Sequence, residues 1–293
     1  MSITFSCPHC HHAYRVADAK AGKKARCRIC GTKMMVPRPA VPPPVVEATP
    51  SGTPRYRHQL PTEPPEVVVE ATPFLPQIER HIERTIGHSP QVFHEIVSTT
   101  IHVDLHVVPP TDEEPSKLHP LGAAHYTVVT SGVSSKPMNV PKGYKGPRFI
   151  ELMMALPADW PGLLPDGTFD RELMKDERNW WPFRWLKQAA RLPAQFNTFL
   201  GLGHTIPNGE DAEPYADNTR LGCLMVCPPL LSPESFHLLI NDQVTIHFMA
   251  LMPLYPEEVR LKLEKGSQPL NDLFDEAGLT ELVELDRPNV ALT

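Results

Sequence analysis

The sequence predicts an α+β domain built around a mixed sheet, with a small metal-held module ahead of it. Three observations carry that prediction. Two C-x2-C pairs, Cys7-Pro8-His9-Cys10 and Cys27-Arg28-Ile29-Cys30, stand sixteen residues apart near the start of the chain. Twelve of the forty residues 37–76 are proline. Beyond them, strand-like apolar runs occupy the middle of the chain, with helical periods before, between and after them. The predicted organisation is a module at 1–36, a flexible proline-rich linker at 37–76 and the main domain at 77–293.

The cysteine pairs come first. A C-x2-C knuckle closes two thiolates on one ion, and two such pairs at this spacing read as one tetrahedral zinc site held by Cys7, Cys10, Cys27 and Cys30. Gly31 follows the second pair and supplies the positive φ such a turn wants. Ala13–Val16 and Thr32–Val36 read as short strands, and Gly22 as a turn. Thirty-six residues bury too little apolar surface to fold alone, so the metal must hold them. Four sulfurs fill one Zn2+ and leave no position for water, which makes the ion structural. His9, His11 and His12 beside the first knuckle are alternative ligands. Residues 5–37 resemble the short zinc ribbons that open many bacterial proteins, where C-P-x-C begins and C-x-x-C-G ends the module.

Charge divides unevenly. Residues 1–36 hold seven Lys and Arg against Asp18, a formal +6, while the whole 293-residue chain is −6, so the remainder carries −12. A basic ribbon can touch nucleic acid, but Lys20, Lys23, Lys24 and Arg26 lack interleaved aromatics and read as a solvated tip. The linker repeats Val-Val-Glu-Ala-Thr-Pro at 45–50 and 68–73. With Pro42-Pro43-Pro44 and Pro64-Pro65 it is expected to be extended, spanning up to roughly 120 Å. No apolar leader and no run of eighteen apolar residues occurs, so a cytoplasmic chain without a membrane segment is expected. Cys223 and Cys227 share one face of an apolar strand and read as buried thiols.

In the main domain, Ile78, Ile82 and Ile86 recur at helical spacing and Gly87 ends the run. Ile101–Val107 alternates strictly, which sends His102, Asp104 and His106 to the face away from the core. Further strands are predicted at 125–130, 149–156, 220–227 and 243–251, and helices at 182–192, 257–265 and 270–277. Pro256 suits a helix N1, with Glu257 and Glu258 in its first turn.

Several blocks then become recognisable. Thr130-Ser131-Gly132-Val133-Ser134 with Pro137-Met138 resembles the G-M-S-x-x-P-M signature of suppressor-of-fused-like domains, with Val133 where methionine is usual. Glu151–Pro157 with Trp160, then Trp181-Pro182, Gly201-x-Gly203-His204-Thr205, Pro253–Glu258 and Arg287-Pro288 match further blocks in order. The resemblance spans 77–293 and points to the bacterial branch. It implies a mixed-sheet binding fold and no enzyme: animal members grip a transcription-factor peptide in a cleft, and bacterial members are regarded largely as immunity proteins against toxins. The expected partner is therefore another protein, a toxin or a regulator, with nucleic acid on the ribbon as the alternative. Gly132, Ser134, Met138, His204 and Thr205, in two small-residue loops, are the candidate partner-binding residues.

Enzymatic readings rest on less. His102-x-Asp104-x-His106 places three potential ligands on one strand face about 7 Å apart, too far to share a metal without distortion; the plain reading is the polar side of a half-buried strand. His204 reads as a hydrogen-bonded histidine. Glu151 is either a desolvated acid with a raised pKa or the partner of an arginine. Ser134 lacks a nucleophile-elbow context, and Gly201-x-Gly203 lacks a third glycine. Trp180, Trp181, Phe183 and Trp185 read as helix packing.

Overall fold

A computed structural model describes residues 2–17, 20, 23–36, 44–59, 73–95, 101–110 and 124–292. Gly22 and residues 68–72, all but the last of the second Val-Val-Glu-Ala-Thr-Pro copy, lie outside the described residues.

The first module is two hairpins. β1 (Ser2–Ser6) pairs with β2 (Ala13–Ala17), and β3 (Lys24–Arg26) pairs with β4 (Lys33–Met35), both antiparallel. The strand expected after Gly31 pairs with Lys24–Arg26. Each hairpin carries one cysteine pair in its turn.

The segment expected as an extended tether contains folded structure. β5 (Val45–Ala48) and β6 (Pro54–Arg57) form a hairpin, turned by Thr49–Thr53, with Gly52 at φ 80. Thr49 Oγ1 closes the turn with bonds of 2.8 Å to Thr53 Oγ1 and 3.0 Å to Ser51 Oγ. The hairpin docks on the main domain: Tyr56 meets Phe199 edge-on, His58 stacks on Phe196, Arg57 pairs with Glu210, and Ser51 N donates to Leu263 O. Aromatic burial at Tyr56 and His58 offsets the ordering cost that the prolines alone would leave unmet.

The main domain begins with α1 (Leu75–Thr85), whose Ile78 and Ile82 are buried and whose Gly87 N–H returns to Ile82 O. Its sheet is mixed. Among the described residues the order is β11 (Thr205–Pro207), β12 (Cys223–Cys227), β14 (Val244–Leu254), β10 (Phe149–Pro157), β9 (His125–Ser131), β8 (Asp104–Val108) and β7 (Gln91–Phe93), with β13 (His237–Asn241) also pairing β14. Only the central β10–β14 pair is parallel among those described. Central strands are apolar on both faces because helices cover both. On one side α2 (Glu177–Gln195) brings Trp181, Phe183 and Leu186 onto Leu105, Val128, Leu152 and Met154. On the other, α1, α3 (Pro256–Lys265) and α4 (Ser267–Ala277) bring Ile78, Ile82, Val259 and Phe274 onto Val129, Met153, Phe248 and Ala250. Truncating Ile78 or Phe183 to alanine removes about 2–5 kcal/mol of such packing.

α2 starts five residues before the expected position. Asp176 is its N-cap, accepting from Arg178 N at 2.9 Å. Pro182 lies inside the helix, and the Arg178 carbonyl it leaves free of an amide partner accepts from Asn218 Nδ2. The strand expected over 101–107 starts only at Asp104, and both its faces are buried: Asp104 and His106 are interior and not on a solvated side. Beside α3, Arg287 and Glu258 form a bidentate ion pair at 2.6–2.7 Å, with side chains 2% and 0% exposed. Pro253 O accepts from Arg287, and Tyr255 donates to Arg287 O.

Candidate functional site

The four N-terminal sulfurs converge. Cys7 Sγ lies 3.6 Å from Cys30 Sγ and Cys10 Sγ lies 3.5 Å from Cys27 Sγ, and all four fall within 4.8 Å of one another. No disulfide joins them. The two knuckles repeat the same backbone pattern: His11 N and Gly31 N donate to the carbonyls of Cys7 and Cys27, and Cys7 N and Cys27 N donate to His12 O and Thr32 O. Gly31 takes φ 73 as expected, whereas His11 takes the equivalent left-handed position at φ 59 without being glycine. Burial alone would push the Cys27 thiol up. The Tyr14 hydroxyl at 3.0 Å and the amides of Cys30 and Ile29 aimed at the sulfur overcome it and bring the thiol down to about 5. This is a ligand set for a metal ion. His12 instead packs edge-on against Tyr14.

In the main domain the small-residue loops are brought together, but inward. Glu151, on β10, is fully buried and accepts from Thr130 Oγ1 (2.6 Å), Ser134 Oγ (2.6 Å), Gly132 N (3.0 Å) and Ser134 N (3.0 Å). No arginine reaches it among the described residues. Burial, only partly offset by these donors, raises its carboxyl to about 7. Gly132 sits at φ 119, and a Cβ there would stand 2.0 Å from His102 O. Gly132 and Ser134, expected on a partner surface, are thus the walls of a buried carboxylate site. Met138 is also interior: its sulfur accepts from Leu200 N at 3.3 Å, and Asn139 N donates to Thr198 O, so the end of the first loop packs on the segment 198–200 that precedes the second.

His204 is half-buried against Phe199 at 4.9 Å and near Tyr56. Burial, with Lys262 nearby, lowers it to about 4, so it packs as a neutral ring. Thr205 Oγ1 accepts from the buried Lys262 at 3.2 Å. His204 and Thr205 are thus held by Phe199, Tyr56 and Lys262 while remaining half-buried. Cys223 and Cys227 are buried as expected; desolvation raises both thiols, Cys223 to about 12. Trp181 stacks on Tyr215 at 4.8 Å inside the core.

The expected His102, Asp104 and His106 row rearranges. His106 turns to Ser131 Oγ at 2.8 Å, and burial lowers its ring to about 4. His102 folds back onto Asp104 at 2.7 Å, and His94, which sequence reasoning did not single out, meets the same carboxylate at 3.0 Å. The signal for His94 is register: Phe93 pairs with Leu105, which sets His94 opposite Asp104.

A mixed sheet between two helical layers, tied by the Glu151 loop and the Arg287–Glu258 clasp, is the class of architecture this chain adopts. The suppressor of fused protein (SUFU) family matches residues 99–288, and the chain belongs to that family. Solved structures agree in fold. A SUFU homologue from Neisseria gonorrhoeae FA 1090 is 15% identical with a TM-score of 0.50, over 75% of this chain and 98% of that one. A chain of the Sufu–Fu complex is 13% identical with a TM-score of 0.52, over 75% and 93%. Drosophila Suppressor of Fused is 15% identical with a TM-score of 0.51, over 74% of this chain and 51% of that one. No curated protein matches. Among the described residues, no helix is long and apolar enough to cross a membrane.

Proposed function

We propose that this chain is a cytoplasmic binding protein, not an enzyme, whose SUFU domain holds and neutralises another protein in the manner of an immunity protein, and whose N-terminal module is a structural zinc ribbon. The observation that carries the binding reading is membership of a family with a solved relative in a complex, the Sufu–Fu complex. The formal −12 of the chain outside the ribbon suits a basic partner such as a nuclease toxin. Zinc is supported by the donor set: bonds of about 2.3 Å to four sulfurs in a tetrahedron set the sulfurs roughly 3.8 Å apart, close to the 3.5 and 3.6 Å found. Four protein ligands leave no open position, which suits a folding role.

The test is a pull-down with the full chain from its native host, followed by calorimetry of each recovered protein against the purified chain. A saturable 1:1 complex that also suppresses the recovered protein's toxicity supports the reading. Recovery of nucleic acid alone would replace it.

A second reading has its own observation. Lys24, Arg26 and Lys33 are all exposed, and the pairing sets Arg26 opposite Lys33, so one face of the second hairpin is a basic strip beside Met35. That strip suits a phosphate backbone. Salt-dependent retention of the chain by duplex DNA or RNA, lost in Lys24→Glu with Arg26→Glu, distinguishes it.

A further inference from the structure

We propose that His94, His102 and Asp104 form a second metal site, separate from the four cysteines, that takes a divalent transition-metal ion of the zinc class and leaves one coordination position for an exchangeable ligand. The argument begins with the backbone. β7 and β8 pair up to Phe93 and Leu105, so His94 continues the row opposite Asp104. Residues 101–103 are not strand, and the bend there turns the His102 ring back over the residue two positions on. A regular strand would have kept the two about 7 Å apart.

Three ligand atoms result, all within 4.8 Å of one another: His94 Nδ1, His102 Nε2 and the Asp104 carboxylate. Donors around a tetrahedral ion with bonds of about 2.0–2.2 Å stand roughly 3.3–3.5 Å apart. His94 Nδ1 lies 3.0 Å from Asp104 Oδ2 and His102 Nε2 lies 2.7 Å from Asp104 Oδ1, so each ring stands within a few tenths of an ångström to a little under one of that spacing from one of the two carboxylate oxygens. Two imidazoles with one carboxylate are the donor types that zinc, cobalt and nickel accept, and three protein ligands are the usual complement of a site with an open position.

The surroundings support the assignment. Asp104 is 6% exposed, and its ion-pair partners among the described residues are the two imidazoles. A buried carboxylate draws on nearby positive charge; Lys187 supplies part of it, and a metal ion held with the two imidazoles would supply more at contact range. Glu95 N donates to Asp104 Oδ1 at 2.9 Å, and the Glu95 side chain is itself fixed by Arg191 and by Val103 N. That is the second layer of hydrogen bonds that orients a ligating carboxylate. The His94 side chain is 69% exposed and gives the ion an entry path. A metal ion there requires each ring to present a lone pair from that nitrogen, with the ring proton on the other one.

The experiment uses the full chain with Cys7→Ser and Cys27→Ser, which silences the four-cysteine site, and titrates it with ZnCl2 and CoCl2. The expected result is one equivalent of zinc, and a cobalt spectrum without the intense thiolate-to-metal absorption. His94→Ala and His102→Ala should each weaken zinc binding at least about tenfold. His94 lies outside the strands with its side chain in solvent, so its variant folds and decides the matter even where His102→Ala does not. In the wild-type chain the matching result is two zinc ions, falling to one in His94→Ala. No zinc uptake by the double-serine chain, or uptake unchanged by His94→Ala, overturns the proposal.

Discussion

Glu151→Gln tests whether the signature loop is a buried carboxylate site. Glu151 is fully buried among four donors, and its carboxyl rises from an ordinary 4.5 to about 7. A raised acid is protonated more readily in the folded than in the unfolded chain. Between about pH 4.5 and about pH 7 the folded state therefore holds more protons, and this group's contribution to stability falls as pH rises. A shift of that size, at 1.36 kcal/mol per unit, costs on the order of 3 kcal/mol by neutral pH. Glutamine is the neutral isostere and does not titrate. It should match the wild type near pH 4.5 and exceed it above pH 7, by roughly 6–12 °C in Tm for a domain of this size. Absolute pH profiles would mislead, because His106 and His204, both lowered to about 4, act with the opposite sign. They bind protons more readily when unfolded, so their contribution is lost as pH falls from about 6.5 to about 4. The difference between wild type and variant at each pH cancels them. Calorimetric melting of both proteins across that range is the assay. A variant less stable than wild type by the same margin at every pH would refute the desolvated-carboxylate account.

Cys27→Ser should unfold the two N-terminal hairpins, seen as lost amide dispersion for residues 2–36, and leave the main melting transition in place. Gly132→Ala should prevent the main domain from folding, or cost well over 3 kcal/mol, since its methyl would overlap His102 O at a φ that L-residues avoid; normal expression with an unchanged Tm would contradict the packing described. Tyr56→Ala should release the β5–β6 hairpin from Phe199, and tryptic cleavage at Arg55 and Arg57 should accelerate several-fold while the main domain survives.

What the sequence made legible follows from local physics. The strands at 125–130 and 149–156 are readable because both their faces are covered, which favours apolar runs such as Leu152–Leu156. α3 was readable because Pro256 and the two glutamates mark its first turn; Glu258 Oε2 accepts from Tyr255 N at 2.9 Å. α2 was clipped because Pro182 imitates a helix start, while the true cap, Asp176, is an ordinary-looking acid. The β5–β6 hairpin was hidden by its prolines. Its signals were the Thr49-Pro50-Ser51-Gly52-Thr53 turn and an aromatic between two arginines, and neither says what Tyr56 will pack on. The strict alternation at 101–107 predicted a half-solvated strand, but a strand inside a three-layer fold has no solvated face, so Asp104 and His106 had to find polar partners indoors. Where those partners sit depends on registers between strands far apart in sequence.

Most of the recognisable blocks are tied to interior partners. Gly132, Ser134 and Thr130 serve Glu151. Arg287 serves Glu258, Tyr255 and Pro253. Thr205 serves Lys262, and His204 fills an aromatic corner with Phe199. The Glu151 and Arg287–Glu258 groups are interior polar knots, and an interior polar group tolerates few replacements, because leaving its partner unsatisfied costs several kcal/mol. Partner specificity is under no such restriction, since it resides in exposed groups that change without unfolding the chain. The expected outcome is that substitutions at the buried Gly132, Ser134 and Arg287 lower Tm together with any binding, whereas substitutions at exposed positions can change binding at an unchanged Tm. The exposed basic loop Lys142–Arg148 and the solvent-facing His94 are two such positions that a scan should include. A substitution in a signature block that removed binding at an unchanged Tm would break this separation of roles.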